Sequence, residues 1–124
     1  MANPNIVAVT TILGTTTFLT PANTTANVLL SNAASSGLVF KVNNIVCANV
    51  TGSAANVTVS IDNAAAGAGT DFPIVSAVSV PANASLIAVD KTTCFYLMEN
   101  QSIVVTSGTS SAISYTISYE SIAS

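Results

Sequence analysis

Two lysines, five carboxylates and two cysteines hold most of the chemistry open to this 124-residue chain, which has no histidine, arginine or tryptophan. The commonest general base, the bidentate anion clamp and the best sugar-stacking ring are therefore all missing, and with them most catalytic constellations. Serine and threonine are plentiful, but a nucleophilic hydroxyl needs a base beside it. Only Lys41 and Lys91 could serve, and no surrounding motif supports a Ser-Lys pair. Lys41 reads as a solvent-facing residue in mid-strand, and the chain as one without catalytic, cofactor-binding or metal-binding residues.

The acids Asp62, Asp71, Asp90, Glu99 and Glu120 are spread along the chain. Asp62 and Asp71 bracket the loop from Asn63 to Thr70 and could meet at its base, with Asn63 as a third oxygen donor. Calcium favours such oxygens, yet no EF-hand or repeat spacing accompanies them, so the expectation is a flexible loop flanked by solvated acids. Asp90-Lys91 reads as a charged turn. Cys47 and Cys94 sit in the apolar stretches Ile45–Ala48 and Cys94–Leu97 and are expected to be reduced, buried small hydrophobes. Five Asn-x-Ser/Thr triplets, at Asn23, Asn49, Asn56, Asn83 and Asn100, follow from a composition rich in Asn and Thr and carry no weight.

The elements that must position these residues are strands. About a third of the chain is Val, Ile or Thr, whose branched side chains lose rotamers in helices and pack well on pleated sheets. Alternation places Val57, Val59 and Ile61 on one face, and Ile113, Tyr115, Ile117 and Tyr119 on another. Leu38, Phe40 and Val42 alternate with Val39, Lys41 and Asn43, and the run through Ile45, Val46 and Cys47 is apolar on both faces, as in a central strand covered on both sides. Turn signals such as Thr20–Asn23, Ser35–Gly37, Ala66–Gly69, Val80–Asn83 and Ser107–Thr109 punctuate the chain at short intervals.

About eight strands follow, near residues 6–13, 25–31, 38–50, 55–62, 72–80, 84–90, 94–98 joined to 102–106, and 112–120. The pattern predicts an all-β, single-domain β-sandwich over residues 1–124, of jelly-roll or related Greek-key type. Pro21-Ala22-Asn23 and Pro81-Ala82-Asn83 begin matching blocks. The echo raises a duplication of two four-strand halves, against independent turn chemistry at each proline.

Only 6% of the residues are charged, against about 25% in ordinary domains, and the net charge is −3. No basic patch exists to neutralise phosphates, so nucleic acid is excluded as a partner. No apolar stretch approaches the roughly 18 residues of a spanning helix, and the aromatics are too few for the girdles of an outer-membrane barrel. The first residues show neither a charged nor an apolar leader region, giving the expectation of synthesis in a cytoplasm. A surface of Thr, Ser, Asn and Ala offers little repulsion between copies and suits permanent assembly.

Several segments carry a resemblance: Ala2–Val7 with Thr10–Gly14, Gly37–Asn43, Val80–Leu86, Asp90-Lys91 with Tyr96–Glu99, and the ending Ser118–Ile122. Together they resemble the small virion structural proteins of tailed phages that infect marine cyanobacteria and related marine bacteria. The family carries more acids near Glu99–Ser102, so this copy is the less charged. The resemblance implies a particle component located in the virion, with a capsid decoration or cement protein as the leading station and a tail, neck or fibre accessory as the next. Its expected partners are the major capsid protein first, tail or neck proteins second, and further copies of itself in a homo-oligomer, a trimer by preference. A carbohydrate-binding sandwich is the competing class, but its platforms would have to come from Tyr96, Tyr115 and Tyr119, two of which lie on a core face. An ice-binding surface built on Thr15–Thr17 would need a regular repeat that is missing.

Overall fold

The computed structural model describes residues 4–124; Met1–Asn3, where the leader reading begins, lie outside the described residues. Among those described there are nine strands and no helix: β1 (Thr11–Leu19), β2 (Asn27–Asn32), β3 (Leu38–Asn49), β4 (Ala55–Asp62), β5 (Asp71–Val80), β6 (Ser85–Val89), β7 (Phe95–Leu97), β8 (Gln101–Ser107) and β9 (Ile113–Ala123). One antiparallel sheet runs β1-β9-β3-β6, with β7 also pairing β3; the other runs β2-β8-β4-β5. Since β6 and β7 share one flank of β3, there are eight strand positions, interleaved as in a jelly roll, and the chain changes sheets at most connections. Each sheet draws strands from both halves of the sequence, so neither half forms a sheet by itself.

The core lies between the sheets and follows the alternation. Val57, Val59, Ile113, Tyr115 and Ile117 are fully buried, while Ile61 and Tyr119 close the edges of the same cluster. The Tyr115 hydroxyl is satisfied, sharing a hydrogen bond with Ser107 Oγ (2.9 Å) and donating to the Thr106 carbonyl (3.1 Å). Two buried asparagines tie the ends of the sandwich. Asn32 Nδ2 donates to the Leu38 and Leu97 carbonyls, and Asn49 Nδ2 to those of Ser53 (2.8 Å) and Val80 (3.0 Å). Buried amides stay only where such partners exist.

Three expectations about the strands need correction. The first strand is not 6–13 but 11–19, because Asn5 starts a turn: its side chain accepts from Val7 N–H (3.0 Å) and its carbonyl from Ala8 N–H (3.0 Å). The joined strand 94–98 and 102–106 is two strands in different sheets. Asn100, in the left-handed region at φ 60°, turns the chain across, and its N–H is taken by the Asn32 carbonyl (2.9 Å). Finally, β3 is central but not covered on both faces. A bulge at Asn43 sets two of its residues against Ser118, so the inward set passes from Phe40 and Val42 to Ile45 and Cys47, and Val46 faces outward, half-buried.

Candidate assembly surface

The strand at one edge of the first sheet, β1, holds a nine-pair register with β9 that has no irregularity, from Thr11 opposite Ala123 to Leu19 opposite Tyr115. Both of its faces are largely open: Ile12 is 52% exposed, Leu13 59% and Phe18 74%. It contains no charge and no proline. Such an edge presents unpaired backbone groups to another chain, which proteins usually prevent with lysine, proline or a bulge. One edge of the opposite sheet is guarded in that way: β5 carries Asp71 and Pro73, its pairing with β4 shifts register twice, and Ala77 sits at φ 48°.

The outward face of the first sheet extends this surface. Phe18, Thr116, Val46 and Ile87 are successive register partners on β1, β9, β3 and β6, forming one row of apolar and methyl-bearing side chains. The next row is polar, with Thr16 and Ser118 hydroxyls hydrogen-bonded at 3.1 Å. Lys41 and Glu120 are register partners, so these two opposite charges fall side by side. At the far end Val39 and Ile122 are buried although they point outward, beneath an apolar depression lined by Pro4, Ile6, Val39, Tyr96 and Met98.

The structure brings together only one pair of the acids singled out in the sequence. Asp62 and Asp71 face each other across β4 and β5, but Asp62 is fully buried rather than solvated. Its Oδ1 accepts from Ala64 N–H (2.8 Å) and Gly69 N–H (3.0 Å), and Asn63 Oδ1 accepts from Thr70 N–H (2.8 Å). The loop therefore folds back over the second sheet instead of flexing freely. Ser102 Oγ donates to the Ala64 carbonyl (2.8 Å) and accepts from Gly67 N–H (3.2 Å). Burial opposes the charge of Asp62, but the Ala64 N–H, the Asp71 carboxyl and the Gly69 N–H outweigh it and lower the pKa. The hydrogen bond to Asp62, desolvation and the Asp62 charge raise that of Asp71. The signal for this arrangement was an aspartate at a strand end followed by small residues able to turn their N–H groups onto it.

The remaining chemistry is dispersed. Asp90 caps its own turn, accepting from Thr92 Oγ1 (2.6 Å) and N–H (2.9 Å), which, with Thr93, hold its carboxyl below the ordinary range. Glu99 turns both carboxylate oxygens into the fold. Cys47 is buried, and desolvation pushes its thiol up to about 12. Cys94 is exposed, contrary to expectation, because it follows the Asp90–Thr93 turn just before β7 begins; both thiols are free. Among the described residues no three His, Cys, Asp or Glu side chains gather as a metal cluster. Tyr115 and Tyr119 belong to the core, the latter packed on Phe40 with ring centroids 5.0 Å apart; only Tyr96 of the tyrosines is open.

No protein-family model matches the chain, and no curated protein matches its sequence. Among solved structures it is similar to a subunit of Bacillus endospore appendages, described as disulfide-linked pili, at 17% identity and a TM-score of 0.52. The match covers 92% of this chain and 90% of that one, so the likeness is of the whole sandwich.

Proposed function

We propose that this chain is a structural rather than catalytic protein, a subunit that packs in many copies in a tailed-phage virion, with capsid decoration or cement as its station and a tail, neck or fibre position as the alternative. The observation that carries the reading is the unguarded β1 edge with the barely charged sheet face beside it. A stable interface needs about 800 Å² from each partner. That is a modest part of the 6083 Å² this fold exposes, and the face offers it with few charges to desolvate. The use of a similar sandwich in a pilus subunit is in keeping with a self-assembling role. The resemblance to small virion proteins supports the choice of a virion as that assembly.

The expected assembly is a symmetric homo-oligomer, a trimer by preference, held by apolar and backbone contacts and so indifferent to salt. Sedimentation at low and high salt, with quantitative mass spectrometry of purified virions, tests both parts. Replacing Phe18 and Leu13 by lysine places charge along the β1 edge and should release monomers with an unchanged β spectrum. A wild-type monomer absent from particles would sink the proposal.

A further inference from the structure

We propose that Asp62, Asp71 and Asn63 form a divalent-cation site, suited to Ca²⁺, that clasps the 63–70 loop onto the outer face of the second sheet. The first observation is an orphaned oxygen. Asp62 has no solvent exposure, both loop N–H groups go to its Oδ1, and no N–H or hydroxyl reaches the enclosed Oδ2, which leaves this carboxylate only the Asp71 carboxyl beside it. A buried carboxylate oxygen left bare costs more than any ordinary hydrogen bond returns, so either a proton held by Asp71 or a cation belongs there, and the titration below separates the two.

The second observation is what lies opposite. Asp71 is the register partner of Asp62, so a second carboxyl, exposed and open to solvent, stands on the same face of the sheet. Two carboxylates brought face to face repel unless a cation or a proton lies between them. Neither lysine is near in the fold's order: Lys41 lies on β3 in the other sheet, and Lys91 in the turn between β6 and β7.

The third is the shape of the loop. A Cβ on Gly69 would overlap Asn63 Oδ1 and stand 2.9 Å from Asp62 Oδ1, so glycine lets these oxygens converge at the loop's base. Ca²⁺ takes six to eight oxygens in flexible geometry. The two carboxylates and the Asn63 amide oxygen supply the fixed part, and water reaches the remainder past exposed Asp71. Mg²⁺, which demands near-octahedral ligands, suits this lopsided set less well.

The test is calorimetric titration of CaCl₂ into the full chain at neutral pH, paired with thermal melts in Ca²⁺ and in EGTA at matched ionic strength. At ten times the dissociation constant, Ca²⁺ should raise Tm by about 5 °C. Asp71→Asn removes one charged ligand but leaves an amide able to donate to Oδ2, so it should fold, be at least as stable as wild type in EGTA, and lose the Ca²⁺ response. Absence of both heat and Tm shift in the wild type at about 10 mM Ca²⁺, beyond the weak extracellular range, would overturn the proposal. An equal shift in Asp71→Asn would overturn it as well, by placing the ion elsewhere.

Discussion

Asn49 ends β3 inside the sandwich, and its replacement by alanine tests whether a single amide holds the β3–β4 loop and the end of β5 together. Its Nδ2 donates to the Ser53 and Val80 carbonyls, and its Oδ1 accepts from Thr51 N–H (3.0 Å) and Thr51 Oγ1 (2.7 Å). Each hydrogen bond contributes roughly 1 kcal/mol net, so the upper figure is about 4 kcal/mol. Water can replace the bonds at half-exposed Thr51, and Thr51 Oγ1 still donates to the Ser53 carbonyl (3.0 Å). The Val80 carbonyl, beside a fully buried residue, has no such relief. With those bonds relieved, the unsatisfied Val80 carbonyl sets the expected loss for Asn49→Ala at about 2 kcal/mol, which in a domain of this size lowers Tm by roughly 7 °C. Urea melts followed by circular dichroism give the value, at fixed protein concentration because assembly adds to apparent stability. Thr51→Val, which removes only the hydroxyl bonds, should cost about 1 kcal/mol. A loss below about 0.5 kcal/mol for Asn49→Ala, the ordinary range of surface changes, would show that the amide is replaceable and the reasoning wrong.

The two thiols should separate cleanly: a maleimide labels Cys94 in the native protein within minutes, and Cys47 only after denaturation; rapid double labelling would contradict the burial of Cys47. The protein should fail in alkali. The pKa values of Cys47 and Tyr115 rise on folding from 9.0 and 10.0 to about 12 through desolvation, so their neutral forms are fully present below pH 9 and stability falls as pH climbs toward 12. Cys47→Ala should flatten the first part of that fall in a pH series of urea melts, and an unchanged slope would refute the linkage. Far-ultraviolet circular dichroism should show a β spectrum with negligible helix.

The parts of the fold legible in the sequence were those in which one face is dry or turn residues mark the ends. Strands at 38–49, 55–62, 71–80, 85–89 and 113–123 lie close to where alternation or turn residues put them. The first strand was misplaced because both its faces are wet and no turn signal marks its start. Thr11–Leu19 has no core-facing stripe to read, and the apolar run Ile6–Val9 beside it attracted the assignment although Asn5 bends it into a turn. Its exposure also explains why the surface proposed for assembly was not visible as a site. Asp62 was hidden for a different reason: burial of a carboxylate depends on which N–H groups a loop delivers, and Gly69 acts at a distance of seven residues.

The bulge at Asn43 has a meaning for how this chain can vary over generations. Side chains on a strand alternate, so the extra residue works as a frame marker: even numbers point inward before it and odd numbers after it. Loss of the Asn43 codon would take out only the bulge, since Val42, Asn44 and Ile45 would then oppose Tyr119, Ser118 and Ile117 in unbroken alternation. Loss of Val46 with the bulge kept would instead exchange inside for outside beyond it, sending Cys47 and Asn49 to the solvent and drawing Ala48 toward the core. Single-residue deletions in β3 are therefore expected at positions 43 and 44 and not elsewhere in the strand, which makes the bulge the one length-variable point expected within it in any descendant of the sequence.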